Sequence, residues 1–118
     1  MVDELTVSVS LRFAKGGIDV SLSRSGVQLD VDGSDYTKNV QVVGITEELL
    51  QLGDVTPGYI LIVNLDRTNF VEVRAESGAA DLVKILPGEP ALFRLSSATP
   101  YVIADTAPVR IEYLLIEN

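Results

Sequence analysis

The sequence predicts an all-β protein: an antiparallel β-sandwich, jelly-roll-like, of about ten short strands. Three observations carry this. Apolar residues recur at every second position in several segments, and Gly-, Pro-, Asn- and Asp-based turn signals recur about every 8–12 residues. No long stretch has the period of an amphipathic helix.

The elements follow in chain order. Leu5, Val7, Val9, Leu11 and Phe13 point one way while Thr6, Ser8, Ser10 and Arg12 point the other, which predicts a half-buried strand. Lys15-Gly16-Gly17 supplies the positive-φ residues of a tight turn, and Ile18, Val20 and Leu22 resume the alternation, so the two segments read as a hairpin. Arg24-Ser25-Gly26 reads as a further turn into Val27, Leu29 and Val31, and Asp32-Gly33 as another hairpin signal, making the first third a meander.

Val40, Val42 and Val43 suggest the next strand, and Ile45 to Leu52 fits a strand better than one or two helical turns. Thr56-Pro57-Gly58 reads as a turn, followed by Tyr59-Ile60-Leu61-Ile62-Val63, whose unbroken apolar run predicts a strand buried on both faces. Further strands are expected at Phe70 to Val73, Leu82 to Leu86, Ala91 to Leu95, Tyr101 to Ile103 and Val109 to Ile116, with Leu86-Pro87-Gly88-Glu89 as a Pro-Gly turn. The core is expected to contain Leu61, Val63, Phe93, Leu95, Val102 and Ile111. With no internal repeat and no linker-like segment, residues 1–118 read as a single β-sandwich domain.

Composition narrows the function. A net charge of −8 argues against a protein that tracks a nucleic-acid backbone, because such proteins cluster Lys and Arg to displace counterions from phosphates. No apolar run approaches the ~20 residues of a membrane helix, and no signal peptide is evident, so neither a nucleic acid nor a membrane is an expected partner. Without cysteine there is no disulfide or thiolate chemistry.

The chain also lacks histidine, so the commonest general base and the usual nucleophile pairs are missing. Carboxylate pairs of the glycosidase kind remain conceivable, but most acidic residues fall in turns or on polar strand faces and read as solvated charge. Asp30-Val31-Asp32-Gly33-Ser34-Asp35 has the carboxylate density of a calcium loop, yet its glycine is fourth rather than sixth and no glutamate stands twelfth. No phosphate-loop motif accompanies the turn glycines. The expectation is a non-enzyme with no catalytic residue, no metal site and no cofactor. Tyr36, Tyr59, Tyr101, Tyr113, Phe13, Phe70 and Phe93 lie in apolar strands and read as core or core-rim residues rather than a sugar-binding platform.

One resemblance bears on function. Thr56-Pro57-Gly58-Tyr59-Ile60-Leu61-Ile62-Val63-Asn64-Leu65-Asp66, then Asn69-Phe70-Val71-Glu72-Val73 and Leu86-Pro87-Gly88-Glu89-Pro90-Ala91-Leu92-Phe93-Arg94-Leu95, with the terminal Val109-Arg110-Ile111-Glu112-Tyr113, resemble small structural proteins of tailed bacteriophages and prophages. The resemblance covers most of the chain through strand-and-turn patterns and transfers no site residue. It implies a virion component made in the host bacterial cytoplasm. An acidic protein sits better outside a shell than against its DNA, so a capsid decoration or cement protein bound to the major capsid protein or another virion protein is expected. The competing reading is a carbohydrate- or receptor-binding module associated with a tail or fibre.

Such a protein works by contacts with partners or copies of itself, and the terminal strands are the candidates. Leu5, Val7 and Val9 belong to a long alternating strand. In the last strand Val109, Ile111, Tyr113 and Leu115 take one face and Leu114 and Ile116 the other, and this second apolar set calls for cover from a neighbour in a homo-oligomer or a virion. Leu5, Val7, Val9, Leu114 and Ile116 are therefore the expected contact residues.

Overall fold

Alternating side chains and closely spaced turns do produce an all-β chain. The computed structural model describes residues 4–118, which form ten strands paired antiparallel throughout: β1 (Leu5–Lys15), β2 (Ile18–Leu29), β3 (Tyr36–Val43), β4 (Glu48–Leu49), β5 (Pro57–Asn64), β6 (Val71–Arg74), β7 (Asp81–Ile85), β8 (Pro90–Arg94), β9 (Tyr101–Ala104) and β10 (Val109–Glu117). Where one domain over 1–118 is expected, the contacts divide the chain into two compact units, one ending at Asp32 and the other running Gly33–Asn118.

The first unit is a two-stranded ribbon, β1 against β2. Gly16 and Gly17 turn it at φ 59° and 84°, the left-handed pair that a two-residue hairpin turn matched to strand twist requires. Arg24-Ser25-Gly26 is not a turn. Val7 faces Val27 and Val9 faces Arg24, so the extra residue is absorbed as a β-bulge in one continuous strand, with Gly26 at φ 66° and its amide donating to Ser8 Oγ at 3.0 Å. Nor does Asp32-Gly33 make a hairpin: β2 ends at Leu29, Val31 lies beyond it, and the Gly33 amide donates to the carbonyl of Asn118.

The second unit is a sandwich of two four-stranded sheets, ordered β3-β10-β5-β8 and β4-β9-β6-β7. β3 pairs with β10, β4 with β9, β5 with β8 and β6 with β7. The chain is therefore one long hairpin centred on the β6–β7 turn and rolled so that successive pairs fall in opposite sheets, the jelly-roll arrangement. β10 is central to its sheet, and its inward residues Val109, Ile111, Tyr113 and Leu115 are at most 1 % exposed. Ile60 and Ile62 of β5 lie beside them, and Val71, Val73, Ile85, Val102 and Ala104 come from the other sheet. Each fully buried side chain of this size is worth about 1.5–3 kcal/mol. Among the described residues, none before Val43 belongs to this core.

Polar groups inside it are satisfied. The Tyr113 hydroxyl donates to the Gln51 carbonyl and accepts from Asn39 Nδ2 at 3.2 Å, while Gln41 Nε2 donates to Glu48 Oε1 and to the Leu49 carbonyl. Asn64 Nδ2 bridges the carbonyls of Asn69 and Ile85. These bonds fix the 44–52 segment, where only Glu48–Leu49 is strand, because Gln41 Oε1 takes the amide of Gln51 in place of a sheet partner.

Leu95, Val102 and Ile111 are core residues as expected, and Phe93 packs at the rim. Leu61 and Val63 are not core. β5 alternates, with Ile60 and Ile62 inward and Leu61 38 % exposed on the outer face, so the apolar run is not buried on both sides. Thr56-Pro57-Gly58 is not a turn either: Pro57 and Gly58 open β5, and Gly58 is buried where a Cβ would stand 2.5 Å from the carbonyl oxygen of Ile116.

Candidate functional site

Two apolar sheet faces are left without cover, one in each unit. In the ribbon, register decides the face. Leu5 faces Leu29, Val7 faces Val27, Leu11 faces Leu22 and Phe13 faces Val20, and directly opposed residues share a side of the sheet. On this face every apolar position of β1 therefore meets an apolar position of β2, apart from Val9, which meets Arg24. The Arg24 guanidinium turns back to donate to the Ser23 carbonyl at 2.9 Å. The opposite face pairs Thr6 with Gln28, Ser10 with Ser23 and Arg12 with Ser21, and Arg12 holds Asp19 through two hydrogen bonds of 3.0 and 2.8 Å. No described residue of the ribbon is buried: Leu11 is 77 % exposed, Leu22 68 % and Phe13 52 %. The strand expected to be half-buried is thus exposed at Val9, Leu11 and Phe13 and half-buried only at Leu5 and Val7.

The second face is the outer side of the β3-β10-β5-β8 sheet. Leu114 lies between Lys38 and Leu61, and Ile116 faces Tyr36. Tyr36, Val40 and Val42 are exposed and Leu114 and Ile116 half-buried. Glu112 and Lys38 interrupt this face, so it is less uniformly apolar than that of the ribbon.

Of the expected contact residues, Leu5, Val7 and Val9 share the ribbon face in the first unit, and Leu114 and Ile116 share the sheet face in the second. Leu11, Phe13, Ile18, Val20, Leu22, Val27 and Leu29 complete the ribbon face but were not among them. The signal was present: a two-residue turn at Gly16-Gly17 pairs Lys15 with Ile18 and fixes every pair as far as Val9 with Arg24, where the bulge shifts the register. Phe13 and Tyr36 are exposed, unlike the core or rim positions expected of the aromatics.

Elsewhere the polar clusters hold the fold. Arg74 binds Asp81 at 2.6 Å and Glu47 at 2.8 Å, and Glu47 also accepts from the Ser77 hydroxyl and the Gly78 amide, clasping the 45–49 segment to the β6–β7 turn. The Ser77 hydroxyl first, then the Gly78 amide and Arg74, hold the Glu47 carboxyl below its ordinary range. Glu72 is pushed up, by burial first and then by Asp81. Asp35 contributes its backbone amide to Glu117 Oε2 at 3.3 Å. A cleft beside Val73, Leu82, Val83 and Phe93 offers about 120 Å³, well under the roughly 300 Å³ at which small-molecule pockets begin.

No family model, curated protein or solved structure matches the chain.

Proposed function

We propose that the chain is a non-enzymatic structural protein of a bacteriophage virion, a decoration or cement protein that binds the outer surface of the capsid shell. The observation that carries the assembly role is the ribbon β1–β2, whose apolar face is exposed at Val9, Leu11, Phe13, Ile18, Val20, Leu22 and Val27. A two-stranded hairpin is at best marginally stable alone in water, and contiguous apolar surface of this kind marks a protein interface. The sandwich supplies a stable body, and the uncovered faces supply adhesion repeated on every copy. The virion setting rests on the resemblance of the β5, β6, β8 and β10 segments to phage structural proteins. The exterior position rests on the net charge of −8, which phosphates would repel.

The test is mass spectrometry and cryo-electron microscopy of gradient-purified particles from the phage or prophage that encodes the chain. The proposal expects many copies on the outer shell surface. Particles that lack the protein after washing would overturn it.

A further inference from the structure

We infer that the apolar face of the β1–β2 ribbon is covered by the same face of a second copy of this chain, the two ribbons lying face to face and antiparallel about a two-fold axis. This deepens the assembly reading by naming a partner, and solution association tests it separately from incorporation into particles.

Area comes first. Seven apolar residues of this face are between 36 and 77 % exposed. Together they present on the order of 700 Å² per copy, close to the about 800 Å² per partner of a standard stable interface. The ribbon's strands are 11 and 12 residues long, and at about 3.4 Å per residue the stripe is roughly 37 Å long. A long apolar stripe of that shape matches another sheet face, since sheets pack by interdigitating such rows.

Charge selects the direction. The closed end of the ribbon carries Lys15, whose opposite neighbour Ile18 is apolar. The open end is flanked by Glu4, Asp30 and Asp32. Antiparallel stacking brings the Lys15 of each copy to the acidic end of the other, whereas parallel stacking would place Lys15 on Lys15 and acid on acid. An isologous pair also closes on itself and leaves neither ribbon face free to propagate.

Sedimentation velocity and light scattering on the full chain across a concentration series should show a monomer–dimer equilibrium. Leu11→Asp with Leu22→Asp places unpaired carboxylates at the contact and should raise the dissociation constant by at least about 100-fold. The tyrosine near-ultraviolet signal should persist, because all four tyrosines lie in the sandwich unit. Lys15→Glu should weaken the dimer several-fold. The natural chain has no cysteine, so introduced ones report alone: Ile18→Cys combined with Leu29→Cys should oxidise to a covalent dimer, and Ile18→Cys by itself should not. A wild-type protein that stays monomeric at the highest attainable concentration overturns the inference. So does a trimer, an Ile18→Cys variant that cross-links alone, or a monomer that pellets with phosphatidylcholine–phosphatidylglycerol vesicles through this face.

Discussion

In β10, Val109, Ile111, Tyr113 and Leu115 repeat at every second position and are at most 1 % exposed; in β1, Val9, Leu11 and Phe13 repeat at the same spacing and are 46–77 % exposed. The two strands are close in length and both alternate. What separates them is cover. β10 pairs on both edges, with β3 and β5, and its apolar face closes against the second sheet, whereas β1 pairs only with β2. Alternation thus specifies that a strand has an apolar side and leaves open what that side meets. The sandwich sheet meets its own second sheet, and the ribbon has no second sheet within its unit.

The largest expected effect lies at the covered strand. Tyr113→Ala removes a fully buried ring and its bonds to Gln51 and Asn39, and should cost about 3–5 kcal/mol in chemical denaturation. Gly58→Ala comes next. Its new methyl would press on the Ile116 backbone, which cannot yield as a side chain would, and about 1–3 kcal/mol should be lost. Leu11→Ser at the uncovered strand should change the sandwich's stability by less than about 0.5 kcal/mol. A loss at Leu11 comparable to that at Tyr113 would erase the distinction between the two faces.

The same distinction governs what could be read from the residues alone. The Gly16-Gly17 turn, the Leu86–Glu89 turn and the buried face of β10 were legible, because local turn chemistry and period fix them. Ser25-Gly26 was not, since a positive-φ glycine serves a bulge as well as a turn, and only the partner strand tells which. Leu61 and Val63 misled for a related reason: an unbroken apolar run marks two apolar faces and does not say that both are covered. The ribbon's apolar face was half legible, through Leu5, Val7 and Val9. Its other half follows from pairing across the hairpin rather than from β1.

Removing the ribbon sharpens the comparison. A chain beginning at Gly33 retains every core residue and should keep the tyrosine near-ultraviolet spectrum and most of the melting temperature while losing self-association. Loss of folding would show that the two units are not independent.

Acid should act mainly on the sandwich, and more gently. Glu47 is held below its ordinary 4.5 by Ser77, Gly78 and Arg74, and Asp66 below its ordinary 3.8 by the amides of Asn69 and Thr68. A carboxylate whose folded pKa is depressed contributes stability above its unfolded value and loses it as pH falls through the folded one. The melting temperature should therefore hold above about pH 4.5 and decline below it. Glu72, raised by burial and Asp81, works in the opposite sense and blunts that decline. Glu47→Gln should weaken the pH dependence.

Amide hydrogen exchange followed over a range of protein concentrations tests the central claim most directly, because it reads the ribbon and the sandwich in one sample. Amides of β5 and β10 should be protected equally at every concentration. Those of β1 and β2 should exchange rapidly when the protein is dilute and become protected as it associates. Ribbon amides as protected in a dilute monomer as those of β10 would contradict the account, since the ribbon would then be stable with its apolar face open to water.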